Sequence, residues 1–347
     1  WVEKMETKFW KVDKNVNNLH TYPQIVEAAK LIKKNEVVAF PTETVYGLGG
    51  NALEDEAVMK IFAAKGRPGD NPLIIHISEM EQMNAFVEEI PEKARKLMEK
   101  FWPGPLTIIL KKKKGVLSEK ATAGLSTVAV RMPDHPVALA IIRASGLPIA
   151  APSANRSGKP SPTTAKHVFD DLNGEIAAIV DGGATGVGVE STVLDCTEPV
   201  PVILRPGGIT KEQLEEVIGE VKIDKALLDV EEKPKSPGMK YTHYAPNAPL
   251  YLVDGDKEFL QECINKERER GLSVGVLTTE ENEGFYHCDV VYACGQRADL
   301  QSVAKDLYNA LRYFNETNVD IIFSEMFPSE GVGEAIMNRL MKAAGHK

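Results

Sequence analysis

Hydrophobic residues recur along this chain with two spacings. Ile25, Ala28, Ala29 and Ile32 fall three and four positions apart among charged neighbours. That spacing predicts an amphipathic helix over residues 21–35. A short apolar run at 37–40 then predicts a strand, followed by the sequence PTETVYGLGG and a helix near 57–65. Further apolar strands are expected at 73–77, 106–110, 127–131, 149–151, 177–180, 192–195 and 201–204. Several of them end in loops rich in Gly, Ser, Thr or Pro. Short strands mixed with helices predict one α/β domain around a largely mixed sheet. Beyond residue 249 the pattern becomes regular. PLYLV, SVGVL, DVVYA and DIIFS alternate with helical stretches at 257–270, 300–314 and 333–344. This predicts a small Rossmann-like parallel layer.

Between these two patterns lies EEKPKSPGMKYTHYAPNAP, whose prolines and polar residues read as a linker. Tyr241, His243 and Tyr244 are too many aromatic groups for a purely flexible spacer. The expected organisation is a tail over residues 1–11, a front domain over 12–212, a linker over 213–248 and a trailing domain over 249–347. Residues 1–4 precede the first methionine and are excluded from the fold reading as an expected remnant.

Composition narrows the class. At 347 residues, with 43% hydrophobic and 26% charged positions, the chain can bury two ordinary cores. No apolar run reaches the ~18–20 residues of a membrane span. The N-terminus carries no basic-then-apolar leader, so a cytoplasmic protein is expected. The four cysteines form no CxxC pair and no zinc-like spacing with histidine, so free thiols are expected. Net charge is −9, of which residues 249–347, with 17 acidic and 10 basic side chains, carry −7. A polyanion would therefore meet the front domain if it met this protein at all.

The candidate chemistry is concentrated in that front domain. P-loop, HExxH, GxSxG and kinase signatures are absent, so nucleotide chemistry needs another cradle. Lys65 and Arg67, in KGRPGDNP, offer a mobile point charge and a rigid fork suited to phosphate or carboxylate, or else a basic helix end that complements the helix dipole. Thr42, Thr44 and Tyr46 crowd a tight turn that can hold a polar ligand or simply cap itself with hydroxyls. PSANRSGKPSPTT follows a buried strand, where α/β folds place ligands. Its Ser153, Asn155 and Ser161 can donate to phosphate oxygens, or the segment can be a plain surface loop. DGGATGVGVEST allows close backbone approach or simple flexibility. Arg131 and Arg205 each end an apolar strand, facing either a cleft or a surface ion pair. His76, flanked by apolar residues, is read first as a satisfied core histidine. Lys111–Lys114 reads as a solvated hairpin tip. GVGEAIMNRL, which lacks a third glycine, reads as a loop entering a helix. Separately these signals are weak. Together they put several cationic and small-residue loops at strand ends of one domain, as a phosphate-handling site requires.

In this order and at these separations, PTETVYGLG, KGRP with NPL, STVAVRMP, PSAN and ESTV resemble the YrdC-like domain. SPGMKYTHYAP with the trailing domain resembles the long, two-domain threonylcarbamoyl-AMP synthases. The resemblance runs from about Val12 to the C-terminus. It implies a twisted mixed sheet with a large concave, positively charged cavity. It also implies a reaction in which L-threonine, bicarbonate and ATP give threonylcarbamoyl-AMP and pyrophosphate, for the tRNA base beside the anticodon. On the same resemblance, Thr44, His76, Arg131, Ala151 and Ser191 match threonine-holding positions. Arg67, Asn71, Thr127, Ser153, Ser161 and Arg205 match ATP-holding positions, and Tyr244 matches a linker residue reaching back over the nucleotide. Lys65 and Arg67 are the expected catalytic charges beside the phosphates, with Mg2+ accompanying ATP, no redox cofactor and no protein-bound metal site. The linker is the expected lid. The implied partners are the substrates and the downstream tRNA threonylcarbamoyl-transferring enzymes, with no membrane and weak or no direct tRNA binding.

Three rivals differ in what they require. A non-catalytic RNA-binding module needs a basic face, and the front domain is near neutral. A carbamoyl-transferring enzyme of hydrogenase maturation needs acylphosphatase and zinc-finger segments that this chain lacks. A separate activity in the trailing domain has only the weak Gly-x-Gly turn behind it.

Overall fold

The computed structural model describes residues 4–228 and 243–345, which fall into two compact units. Of these residues the first unit holds 4–157, 162–186 and 190–228. The second holds 158–161, 187–189 and 243–345.

In chain order the first unit comprises β1 (Lys8–Lys11), α1 (Pro23–Lys33), β2 (Val38–Pro41), β3 (Tyr46–Asn51), α2 (Asp55–Lys65) and β4 (Ile74–His76). It continues through α3 (Glu92–Phe101), β5 (Leu106–Lys111), β6 (Thr127–Arg131), α4 (Pro136–Ser145), β7 (Ile149–Ala150) and α5 (Ala165–Leu172). It closes with β8 (Ala178–Asp181), β9 (Thr192–Asp195), β10 (Val202–Arg205), α6 (Lys211–Ile218), β11 (Lys222–Ile223) and α7 (Lys225–Leu228). Among the described residues its eleven strands form one sheet in the order β1-β8-β2-β3-β7-β4-β6-β5-β9-β10-β11. Parallel and antiparallel pairs alternate irregularly, so the expected mixed sheet is what the chain builds.

Both faces of this sheet are covered. The apolar run at 37–40 shows how: Val37 and Ala39 join one core, and Val38 and Phe40 the other. A strand buried on both faces must be apolar throughout, and this one is. The first core also takes Val58, Ile61 and Phe62 of α2, Leu97 and Met98 of α3, and Val168 and Leu172 of α5. The second takes Ile25 and Ile32 of α1 with Ile141 and Ile142 of α4. Local chemistry sets the helix ends. Pro23 and Pro136 occupy first helical positions, and Gly66 and Gly146 close α2 and α4 with φ of 64° and 66°.

The second unit contains β12 (Leu250–Val253), α8 (Lys257–Glu269), β13 (Val274–Thr278), β14 (Val290–Ala293), α9 (Leu300–Tyr313), β15 (Ile321–Glu325) and α10 (Val332–Ala344). Among the described residues its four strands run in the order β12-β15-β13-β14, all parallel, as the alternating pattern predicts. Leu260 and Ile264 of α8 pack with Val274, Val276, Ile321 and Phe323. GVGEAIMNRL is a loop-to-helix entry, with α10 starting at Val332.

Three expectations change. The tail does not extend to residue 11. Lys8–Lys11 is an edge strand parallel to β8, with Trp10 packed on the core and Phe9 edge-on to Phe169 at 6.1 Å. The front domain does not stop at 212. α6 crosses that boundary, Leu214 and Val221 enter the core, and β11 pairs with β10. Of the expected linker and lid, residues 229–242 lie outside the described residues. Finally, Lys111–Lys114 is not uniformly solvated. Lys112 is 5% exposed and donates to Glu119 at 2.9 Å and Thr122 at 2.6 Å.

Candidate active site

Strands β4 and β6 lie side by side and parallel, which sets His76 opposite Arg131 at their C-terminal ends. β7 flanks β4 on its other side, with Ile149 opposite His76. Ala151, just past β7, is tied by its amide to the Ile74 carbonyl at 3.0 Å. Three residues predicted to serve one ligand are thus brought together by adjacent strands. Arg131 is 4% exposed. Its Nη1 donates to Thr44 Oγ1 at 3.0 Å, its Nε to the Gly104 carbonyl at 3.3 Å, and its Nη2 pairs with the Glu43 carboxylate. Burial, with the like charge of Arg205 added, pushes its guanidinium down to about 9. It therefore stays charged at neutral pH. His76 behaves differently. Its Nδ1 lies 3.0 Å from the Ile74 carbonyl, and burial pushes the imidazole down to about 4. At neutral pH the ring is uncharged and does not compete with Arg131.

The Thr42–Val45 turn holds itself in shape. Thr42 Oγ1 donates to the Val45 carbonyl at 2.7 Å and accepts from the Thr44 and Val45 amides at 3.1 and 3.3 Å. This is the self-capping that Thr-rich turns favour. It fixes the Thr44 hydroxyl, fully buried, against Arg131. Burial also raises the Tyr46 phenol, whose Oη donates to the Gly183 carbonyl at 2.7 Å and so stays protonated.

A second guanidinium comes from β10. Arg205 Nε donates to the Ser191 carbonyl at 3.0 Å and its Nη2 to Ser191 Oγ at 3.2 Å. Ser191 Oγ also lies 2.7 Å from Thr107 Oγ1 on β5. Backbone packs tightly here. A Cβ on Gly207 would stand 2.3 Å from the Thr192 amide nitrogen and 2.6 Å from the Ser191 carbonyl carbon. Glycine at 207 is thus required by close approach.

The Lys65 region is the third part. Lys65 is 3% exposed, and its Nζ donates to the Ser153 carbonyl at 2.5 Å, the Asn155 carbonyl at 2.8 Å and Asn155 Oδ1 at 3.3 Å. The lysine ties α2 to the PSAN loop, and the Ser157 amide returns the link to the Lys65 carbonyl at 2.8 Å. Arg67 Nη2 donates to the Asn71 carbonyl at 3.2 Å, and its guanidinium lies over the Phe62 ring. Ser153 is further held by its bridge to Gly47 of β3. Thr127 stands at the other end of β6, four residues or ~13 Å of strand from Arg131, and pairs across to Lys111. Ser161 and Tyr244 belong to the second unit. There Tyr244 takes a left-handed φ of 61° and packs against Tyr308, the rings tilted by 34° with centroids 5.2 Å apart.

Sequence reasoning passed over Glu43, Thr107 and Asp134. Glu43 offered a signal, being the one charge within PTETVYGLGG. Thr107 and Asp134 offered none, because their partners lie far along the chain.

Two sequence-family profiles match the chain: Sua5/YciO/YrdC, described as telomere recombination, over residues 30–207, and the threonylcarbamoyl-AMP synthase C-terminal domain over residues 209–345. A threonylcarbamoyl-AMP synthase of Bacillus subtilis is 62% identical over 98% of this chain and 99% of its own length. One from Pyrococcus abyssi is 50% identical over 92% of this chain and 94% of its own. The crystal structure of P. abyssi Sua5 complexed with L-threonine matches with a TM-score of 0.90 and 48% identity, covering 98% of both chains.

Proposed function

The chain belongs to the threonylcarbamoyl-AMP synthase family, and from that premise we propose how its own residues carry out the family's adenylyl transfer. L-Threonine, bicarbonate and ATP are the substrates, and threonylcarbamoyl-AMP and pyrophosphate the products. The observation that carries this reading is the buried, charged Arg131 set between the Thr44 hydroxyl and a neutral His76. A guanidinium there suits a carboxylate by two parallel charge-assisted hydrogen bonds. Ala151 and Ser191 close the same pocket around threonine. Arg205 borders it and, with Arg67, Asn71 and Ser153, faces the nucleotide. Thr127 completes the nucleotide assignment within this unit on family resemblance.

The threonine amine adds to bicarbonate, losing water, to give a carbamate. A carbamate oxygen then bonds to the α-phosphorus of ATP as the bond to the β-phosphate oxygen breaks, and pyrophosphate leaves. Arg67 and Arg205 offset charge on the phosphates as it moves toward the leaving group. Lys65 contributes by holding the PSAN loop at the nucleotide. Mg2+ is expected as the ATP complex. Among the described residues no cluster of three His, Cys, Asp or Glu side chains is placed to hold a metal ion. Mg2+, bound with ATP, would add positive charge beside Arg67 and Arg205. The product serves the tRNA threonylcarbamoyl-transferring enzymes of the cytoplasm. Among the described residues no helix is long and apolar enough to cross a membrane.

The test is product identity. Incubation with ATP, L-threonine and 13C-bicarbonate should give threonylcarbamoyl-AMP one mass unit heavier by mass spectrometry. A product lacking the label, or AMP alone, would overturn the reading.

A further inference from the structure

Arg131 is not alone in its pocket. Glu43 projects from the Thr42–Val45 turn, and its side chain is only 14% exposed. One carboxylate oxygen, Oε2, accepts from the Asp134 amide at 2.6 Å, which anchors the group to the loop after β6. The other, Oε1, pairs with Arg131 Nη2. The Glu43 carbonyl accepts from the Gly186 amide at 3.1 Å, fixing the residue from a third side. The carboxylate is thus held in place by backbone, and only Oε1 is turned toward the guanidinium.

The charges of the pocket explain why a fixed carboxylate belongs there. Arg205 is close enough to disfavour the charge of Arg131, and His76 is neutral. Two positive groups alone would suit an anion. A free amino acid is a zwitterion, with its ammonium on the carbon that bears its carboxylate. A ligand whose carboxylate takes Arg131 therefore brings its ammonium within reach of Glu43 Oε1. A buried charge is stable only when paired. With no ligand, Arg131 and Glu43 satisfy each other; with a zwitterion lying alongside the pair, each also takes its opposite end.

The geometry points to Glu43 as the specificity residue that reads the α-ammonium group of the amino acid, so that Arg131 and Glu43 form a self-paired receptor for a zwitterion. This rests on the reading of Arg131 as the carboxylate site. Three responses to Glu43→Gln separate the alternatives. Reading of the ammonium lowers affinity for L-threonine but not for 3-hydroxybutyrate, which keeps the carboxylate and hydroxyl and lacks the amine. A carboxylate that merely competes for Arg131 makes both ligands bind more tightly when it is neutralised. A structural brace weakens both equally.

The experiment is titration calorimetry of the full chain with each ligand, for the wild type, Glu43→Gln, Glu43→Asp and Arg131→Met. The expected result is a loss of at least tenfold for L-threonine in Glu43→Gln, roughly the value of one charge-assisted hydrogen bond. 3-Hydroxybutyrate should bind unchanged or better. Glu43→Asp, which keeps the charge, should retain the preference for the amine, and it serves as the reading if the glutamine variant does not fold. An unchanged ratio of the two affinities in Glu43→Gln, while Arg131→Met abolishes binding, overturns the proposal alone. Unaltered threonine binding in Arg131→Met overturns the carboxylate site and the proposal with it.

Discussion

Lys65→Met separates two roles that the sequence allows for the same lysine. As a charge on the reacting phosphates, Lys65 would act on turnover. As the tie observed here, it acts on the loop that carries Ser153. Its Nζ donates to two main-chain carbonyls, of Ser153 and Asn155, and to the Asn155 side chain. Methionine keeps an unbranched apolar stem one atom shorter and removes all three donors. A buried acceptor left without a donor costs about 1–3 kcal/mol. Relief from burying an ammonium returns part of that, so a net loss of about 2–4 kcal/mol is expected. For a unit of this size that corresponds to roughly 5–10 °C in Tm. The loosened loop should raise the KM for ATP several-fold, with kcat changed by less than about threefold. Thermal unfolding by circular dichroism and steady-state kinetics at saturating threonine measure both. A Tm within about 1 °C of wild type, together with a kcat lowered by ~100-fold, would refute the tie and put the lysine on the phosphates.

Arg131→Met should weaken L-threonine binding by more than about tenfold and leave the KM for ATP near wild type in the same kinetic assay. His76 gives a pH dependence of stability. Its folded value, about 4, lies below the ordinary histidine value of 6.5, so its contribution is complete above pH 6.5 and is lost as pH falls toward 4. Between pH 7 and 5 that loss is about 2 kcal/mol, and melts of His76→Gln across this range should show a correspondingly flatter curve. Gly207→Ala places a Cβ against the main chain at Thr192 and Ser191, neither of which can step aside. It should lower Tm by several degrees and weaken threonine binding through Ser191. Gly66→Ala, with open space but a φ of +64°, should cost only about 1 kcal/mol by the same melt.

Much of this fold is visible in the chain because the elements concerned carry their own signal. α1, α8, α9 and α10 each present an apolar face at helical spacing, and β2 and β13 are largely apolar and buried at every position. The elements that escape depend on distant partners. β1, KFWK, is short and has a lysine at each end, and it becomes a strand only because β8, about 170 residues later in the chain, offers a free edge. β3, with its three glycines, reads as a turn. It is a strand because the Phe40 and Ile149 side chains fill the space that a Cβ on Gly49 would take. Lys112 reads as part of a solvated run, yet Glu119 and Thr122 fold back to bury it. The site shows the same division. Lys65, Arg131 and Arg205 announce themselves by charge after regular elements. Their partners, Glu43, Ser191 and the PSAN carbonyls, are chosen by strand order, which no local pattern encodes.

The central claim is that this pocket joins threonine, a carbon dioxide equivalent and ATP. Pyrophosphate release, measured with L-threonine and bicarbonate each supplied or withheld, tests it most directly. Release from ATP is expected only when both are present. Release without threonine, or none from folded protein with all three substrates supplied, would contradict it.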